Sequence, residues 1–373
     1  MTIPFNHLEA IIHPDRIVQN WRKLEQIGGK AYAVIKADAY GHGVLKVTEA
    51  LERAHAHTIC AGSVEEAVAI RKNGFSGRIM SLLGPQLDQD YALCATFQII
   101  PFVGQVPQLR RLDASAAAAG LRQPVALKFD TGMNRLGFVP EQVASVLPEI
   151  QSCSHVDVCM VCSHLAVADD SSEQNFTHKQ GQRFSTVVNY LRDAGLQFEA
   201  SLSSSPGLLA HPELRFDAQR PGISLYGGNP FWGTENEALG EGFVPAMELR
   251  SRVYQVHPLK KGETVSYGRT FKAEHDMQVA IVGGGYADNI LRCLSNRTLV
   301  TIHEKRARLL GRVCMQMAAV DVSHISGVQP GDDVWFLGGP GENPVRVEEI
   351  ADCCGTISYE VLCLFGQNQR RFA

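Results

Sequence analysis

No stretch of this chain reaches the roughly 18 consecutive apolar residues that a membrane-spanning helix requires, so no transmembrane helix is indicated. The opening Met-Thr-Ile-Pro-Phe-Asn-His lacks a basic segment followed by an apolar one, so no secretory leader is expected. Excess charge is missing too. With 35 Lys and Arg against 39 Asp and Glu, the net charge of −4 gives no electrostatic reason to expect nucleic acid or an anionic membrane as partner. No complete Gly-x-Gly-x-x-Gly opens a helix, so Gly283–Gly284–Gly285–Tyr286 does not read as a dinucleotide loop. The 10 cysteines do not resemble a secreted disulfide framework in so long a chain. Cys159 and Cys162 form a lone CxxC inside the apolar run Val156–Val161, where structural burial is the simpler reading. No metal site is expected, and the cytoplasm is the natural compartment.

What is present is alternation. A length of 373 residues allows two domains. Eight short apolar runs punctuate the first part: Ala31–Ile35, Thr58–Ala61, Arg78–Leu83, Phe97–Phe102, Pro124–Phe129, Val156–Cys162, Phe198–Leu202 and Gly222–Tyr226. Helical patterns separate them. Val64–Lys72 carries Ser63 as N-cap and an acidic first turn, and Ser171–Ala194 is long, periodic and closed by Gly195. Eight β/α alternations predict an α/β fold with an N-terminal (β/α)8 TIM-like barrel over 1–240, with an open doubly wound sheet as the alternative. After about residue 240 short alternating runs separated by Gly, Pro and Asp predict a mainly antiparallel β domain over 241–373.

A barrel of this kind gathers its chemistry at the carboxyl ends of its strands. Lys36, Lys128 with Asp130, His164 and the serines Ser203–Ser205 all stand there. Lys36 ends an apolar run and is followed by a polar, glycine-rich turn, Ala37–Asp38–Ala39–Tyr40–Gly41–His42–Gly43. Burial there would lower its pKa and free its amine as a nucleophile. An exposed lysine at a strand end is the plain alternative. Arg135, in Asp130–Thr131–Gly132–Met133–Asn134–Arg135, offers a planar fork of donors suited to a carboxylate or a phenolate oxygen.

The Lys36 segment closely resembles the pyridoxal-phosphate lysine motif of the alanine racemase family. Further motifs extend the resemblance over nearly the whole chain: Leu127–Phe138, Ser163–His164–Leu165–Ala166, Ser201–Ser205 with Arg220–Gly227, Val265–Thr270, Gly311–Met315 and Ile357–Glu360. The resemblance implies pyridoxal 5'-phosphate as cofactor, anchored on Lys36. It implies phosphate contacts from Tyr40, Ser205, Gly222, Ile223 and Tyr359, and an imidazole, His164, packed on the cofactor ring. Arg220 is implied against the pyridine nitrogen, which it would keep unprotonated because arginine does not give up its own proton. Arg135 and the backbone of Met315 are implied in substrate binding, Lys128 is the residue carbamylated in many relatives, and Tyr267 is the implied second catalytic base beside Lys36.

The expectation is a racemase that interconverts L- and D-alanine by a two-base mechanism, as a homodimer with shared active sites. Three departures qualify it. Ser204 stands where most relatives have Asn, Asn289 where a Gly is usual, and Gln316 where an Asp is usual. None touches an expected base, but they leave open a racemase of broader specificity, serine included. A decarboxylase would want a protonated pyridine nitrogen, which Arg220 opposes. A non-catalytic cofactor carrier would lack a β domain bearing the Val265–Ser266–Tyr267–Gly268 tyrosine.

Overall fold

The computed structural model describes residues 8–373, so the N-terminal heptapeptide on which the leader reading rests lies outside the described residues. No helix among the described residues is long and apolar enough to cross a membrane.

Two compact units emerge from the chain. One comprises Ile17–Ala39 and Val44–Val244, and the other, among the described residues, 8–16, Tyr40–Gly43 and Pro245–Ala373. In chain order the strands are β1 (Glu9–Ile12), β2 (Ala33–Val34), β3 (Thr58–Ala61), β4 (Arg78–Ser81), β5 (Ile99–Val103), β6 (Gln123–Lys128), β7 (Val156–Cys162) and β8 (Glu199–Ser201). Strands β2 to β8 form one parallel seven-stranded sheet in sequential order, with register such as Ala33 opposite Ile59 and Cys60 opposite Met80. Central strands covered on both faces should be apolar throughout, and all five residues of β5 are buried.

The eighth position corrects the expectation. Gly222–Tyr226 is not a strand, since Ile223–Tyr226 winds into a 3-10 turn. The neighbouring segment 218–221 closes the sheet instead. Gln219 exchanges backbone bonds with Lys30 and Tyr32 at 2.7 and 2.8 Å, and Val34 N–H donates to Pro221 at 3.1 Å. On its other side Ala218 N–H donates to Ala200 and Arg220 N–H to Ser203. This closing segment makes ladder bonds to both edges, yet it is too short and bent to count as a regular strand. The apolar run that marked it in sequence belongs to the turn beyond.

Local chemistry explains the helices that matter here. Ser63 Oγ accepts from Glu66 N–H at 3.1 Å, capping Val64–Lys72, which has acids in its first turn and Arg71 and Lys72 in its last. The helix Gln174–Asp193 buries Thr177, Gln180, Gly181, Phe184, Val187, Val188 and Leu191, one stripe at helical spacing.

The second unit is built on β9 (Met247–Leu259), β10 (Thr264–Val265), β11 (Phe271–Lys272), β12 (Met277–Gly283), β13 (Leu299–Ile302), β14 (Lys305–Leu310), β15 (Met317–Asp321), β16 (Asp333–Leu337) and β17 (Gln369–Phe372). Its main sheet runs β12-β15-β14-β13-β16-β9-β1-β17, and β12 also pairs with β9, closing a ring. All these pairings are antiparallel except β1 with β17. Strand β1 therefore belongs to this sheet, which corrects the expectation that the barrel begins at the first residue. A strand paired with partners more than two hundred residues away carries no local sign of its allegiance.

Candidate active site

Strand β2 stops at Val34, and the chain then does something costly. Ala37, Asp38, Ala39 and Tyr40 follow one another with φ of 54°, 55°, 55° and 53°, a left-handed turn without a glycine. Each such residue costs roughly 1–2 kcal/mol, so the turn persists only where its surroundings hold it. Glu66 provides much of that hold. Its Oε1 accepts from Asp38 N–H at 2.8 Å and its Oε2 from Gly62 N–H at 2.6 Å, while Asp38 Oδ1 accepts from Val44 N–H at 2.7 Å. Lys36, just before the turn, is exposed rather than buried. The burial expected of Lys36 is therefore corrected: it stands on the lip of an open cavity. Glu66→Ala should destabilise the protein by about 1.5–3 kcal/mol, because two backbone donors lose a charged acceptor. An unchanged urea midpoint would contradict that assignment.

The cavity measures about 490 Å³ and is lined by Lys36, Glu66, Lys128, Arg135, His164 and Arg220, among others. That volume lies within the roughly 300–1,000 Å³ of small-molecule sites. Four cationic side chains against one carboxylate make it a site for an anionic ligand.

Lys128 ends β6, and the loop beyond it is tied by Asp130. Asp130 Oδ1 accepts from Gly132 and Asn134 N–H at 2.9 and 3.0 Å, and Oδ2 from Arg135 N–H at 2.6 Å. The loop returns at Gly137, whose φ of 134° and close approach exclude a side chain: a Cβ there would stand 2.7 Å from Asp130 N. Arg135 is thereby held at the exposed mouth. Burial is the main cause lowering the Lys128 pKa, with Arg135 and Arg220 adding to it and Cys162 and Asp130 opposing.

His164 follows β7. Burial first, then Arg220, Arg135, Lys128 and Lys36, push its pKa down to about 3, so the imidazole is neutral at ordinary pH. Sequence reasoning missed the residue that positions it. Gln180, itself buried, accepts from Ala166 N–H at 2.9 Å and donates to the His164 carbonyl at 3.1 Å and to Thr131 Oγ1 at 3.3 Å. In sequence it is one polar residue in a helix, and only its place in the apolar stripe with Thr177 and Phe184 hints at an inward role.

Arg220 is 5% exposed and donates to Ser201 Oγ and, at 2.5 Å, to the Ser163 carbonyl. No carboxylate lies within ion-pair distance of it among the described residues. Beyond it, the Gly222 and Ser224 N–H groups converge on Ser205 Oγ at 3.0 and 3.3 Å, with Ile223 between them. Ser224 Oγ is buried beside this cradle without a hydrogen-bond partner among the described residues. Ser204 is the N-cap residue of Ser205–Ala210 but makes no side-chain cap bond.

In the β-rich unit Tyr40 and Tyr359 come together, with ring centroids 5.8 Å apart. Burial raises the Tyr40 pKa, Tyr359 and Cys363 adding to the shift, so its phenol keeps its proton. Tyr267 lies in the turn between β10 and β11 and is 68% exposed. Ser266 Oγ donates to the Arg312 carbonyl at 2.6 Å, which joins that turn to the loop carrying Met315, 56% exposed. Tyr286 and Ala287 in turn donate to Cys314 and Met315 carbonyls. Gln316 is exposed in this loop, its carbonyl accepting from Gly284 N–H. Asn289 has φ of 64°, which explains its departure: the position is left-handed, and asparagine tolerates that conformation better than other non-glycine residues.

The family description "Alanine racemase, N-terminal domain" matches residues 12–230, and "Alanine racemase, C-terminal domain" matches residues 246–373. The chain is 46% identical over 370 residues to the alanine racemase of Nitratidesulfovibrio vulgaris (strain DSM 19637 / Miyazaki F), covering 99% of each. Its fold is similar to the crystal structure of alanine racemase from D-cycloserine-producing Streptomyces lavendulae, with TM-score 0.90, 30% identity, and 99% of this chain and 97% of that one covered. It is likewise similar to the biosynthetic alanine racemase from Pseudomonas aeruginosa, with TM-score 0.86, 32% identity, and 99% and 100% covered.

Proposed function

The chain belongs to the alanine racemase family, and on that premise we propose that Lys36 and Tyr267 are the two groups with which it interconverts L- and D-alanine. Family membership makes it an isomerase that uses pyridoxal phosphate. The residues present fit that group. The buried Ser224 Oγ without a partner, beside N–H groups converging on Ser205, suits a phosphate, and the cationic cavity suits its charge.

When bound, pyridoxal phosphate supplies the electron sink that makes an amino-acid Cα proton acidic. Lys36 would anchor it. Ser205, Gly222, Ile223, Tyr40 and Tyr359 would hold its phosphate, and neutral His164 would pack on its ring without adding charge. The observation that carries the reading is Arg220, buried with no opposing carboxylate among the described residues. Facing the pyridine nitrogen, a guanidinium leaves that nitrogen unprotonated, weakens the sink, and favours prompt return of the proton over transamination. Arg135 and the Met315 N–H would orient the substrate carboxylate. Inversion requires a proton to leave one face of Cα and arrive on the other, which the Lys36 amine and Tyr267 phenol provide between them. A chiral assay with L-alanine tests the reaction: accumulation of D-alanine to a racemic mixture is expected, and no inversion by cofactor-loaded protein would overturn it.

On this reading residues 1–240 carry the covalent anchor and most of the cofactor contacts, and residues 241–373 carry the other base together with Tyr359. A homodimer with shared sites follows if each Tyr267 serves the partner's Lys36. Support comes from Tyr267, Tyr286, Met315 and Met317, large side chains left exposed on the β-rich unit. Lys36→Ala and Tyr267→Phe chains, each inactive alone, should then recover roughly a quarter of wild-type activity after random subunit exchange, since half the dimers carry one intact site. Verified heterodimers without activity would rule this out. The cytoplasm fits a chain with no disulfide among the described residues.

Lys128 is proposed to be carbamylated. Burial and the two arginines favour its neutral amine, which can add carbon dioxide and release a proton, leaving an anion between Arg135 and Arg220. Protein equilibrated with 13C-bicarbonate should show a carbamate carbon resonance that is absent from Lys128→Ala. The same spectrum from both proteins would contradict the modification.

A further inference from the structure

We propose that His178, His211 and Glu213 form a binding site for a divalent transition-metal ion such as zinc, joining the helix Gln174–Asp193 to the turn Pro212–Leu214. The donor atoms of the three side chains all lie within 4.8 Å of one another. His178 Nε2 stands 3.1 Å, and His211 Nδ1 3.4 Å, from the same oxygen, Glu213 Oε1. In a tetrahedral zinc site with ligands near 2.0–2.1 Å, neighbouring ligand atoms are about 3.3 Å apart, between those two separations.

The orientation of His211 is the second, independent observation. Its Nε2 lies 3.2 Å from the Ala168 carbonyl, and a carbonyl can only accept, so Nε2 carries the hydrogen. That bond turns Nδ1 toward Glu213 Oε1, the oxygen that His178 Nε2 also faces. A cation placed there would meet ligand atoms from all three side chains. A metal-bound imidazole ordinarily gives its other N–H to a carbonyl or carboxylate, as this one does. The ring is also fixed without an ion, since its side chain is only 8% exposed. Two imidazoles, one carboxylate and a fourth position open to water make a donor set suited to zinc.

An ion here would be structural. It would clip the helix whose Gln180 holds His164 to the turn that follows Ser205–Ala210. Residue spacing alone gives no sign of it, because His178 and His211 are 33 positions apart and only the fold brings them together.

Tag-free holoenzyme, stripped with a chelator, should be titrated with zinc in competition with a chromophoric chelator. The wild-type chain is expected to bind an ion that both His178→Ala and Glu213→Gln lose. Cys293→Ser, which removes an exposed thiol, should retain it. Anomalous scattering at the zinc edge should place the ion among the three side chains. Equal binding by all the variants, loss only in Cys293→Ser, or no wild-type binding at all would each overturn the proposal.

Discussion

Lys36→Ala is expected to abolish racemisation, by more than about 10⁴-fold, together with the visible absorbance of covalently held cofactor. Both losses follow from the proposed double role of one side chain, as anchor and as proton-transfer group. Because Lys36 is exposed at the end of β2, its removal leaves no cavity in the core and the fold should be unaffected. Lys36→Arg separates charge from chemistry. It keeps a cation at the lip of the cavity but has no amine that can become a neutral nucleophile, so it too should be inactive. A chiral assay and an absorption spectrum check both variants. Wild-type turnover by either would show that the strand-end lysine serves only to attract an anion.

Much of this arrangement is legible in the sequence where the signal is local. Ser63, the acids after it and Arg71–Lys72 announce one helix, and the alternation of short apolar runs with helical patterns announces a parallel barrel. What depends on distant pairing is not legible. The barrel closes through segment 218–221, whose bonds run to Lys30, Tyr32 and Val34 on one side and to Ala200 and Ser203 on the other. Without those partners in view, the more apolar Gly222–Tyr226 looks like the strand. The burial expected for Lys36 failed for a related reason. Four consecutive left-handed residues without glycine are disfavoured by any local rule, and they occur here because Glu66, on another element, supplies acceptors to two backbone donors. Gln180 escaped notice because buried glutamine has no periodicity of its own. The candidate site residues themselves stood out through their position at strand ends and through motif resemblance, which carried more information than their spacing.

Tyr267→Phe is the second variant with a large expected effect, a loss of roughly 10²–10⁴-fold in racemisation. Unlike the lysine variants it should keep the cofactor and its absorbance, since Tyr267 is neither the proposed anchor nor one of the proposed phosphate contacts. Its side chain is 68% exposed, so removing the hydroxyl should leave stability within about 0.5 kcal/mol of wild type. A variant that lost cofactor along with activity would assign the phenol to binding rather than to proton transfer.

The two-base assignment is tested most directly by following solvent deuterium into Cα of each alanine enantiomer with Tyr267→Phe in D2O. One base remains in that variant, so it can remove and return a proton on one face only. One enantiomer should therefore exchange its Cα proton with retention of configuration, while the other keeps its proton and neither inverts at an appreciable rate. Equal exchange from both enantiomers, or inversion at the wild-type rate, would contradict a mechanism divided between Lys36 and Tyr267.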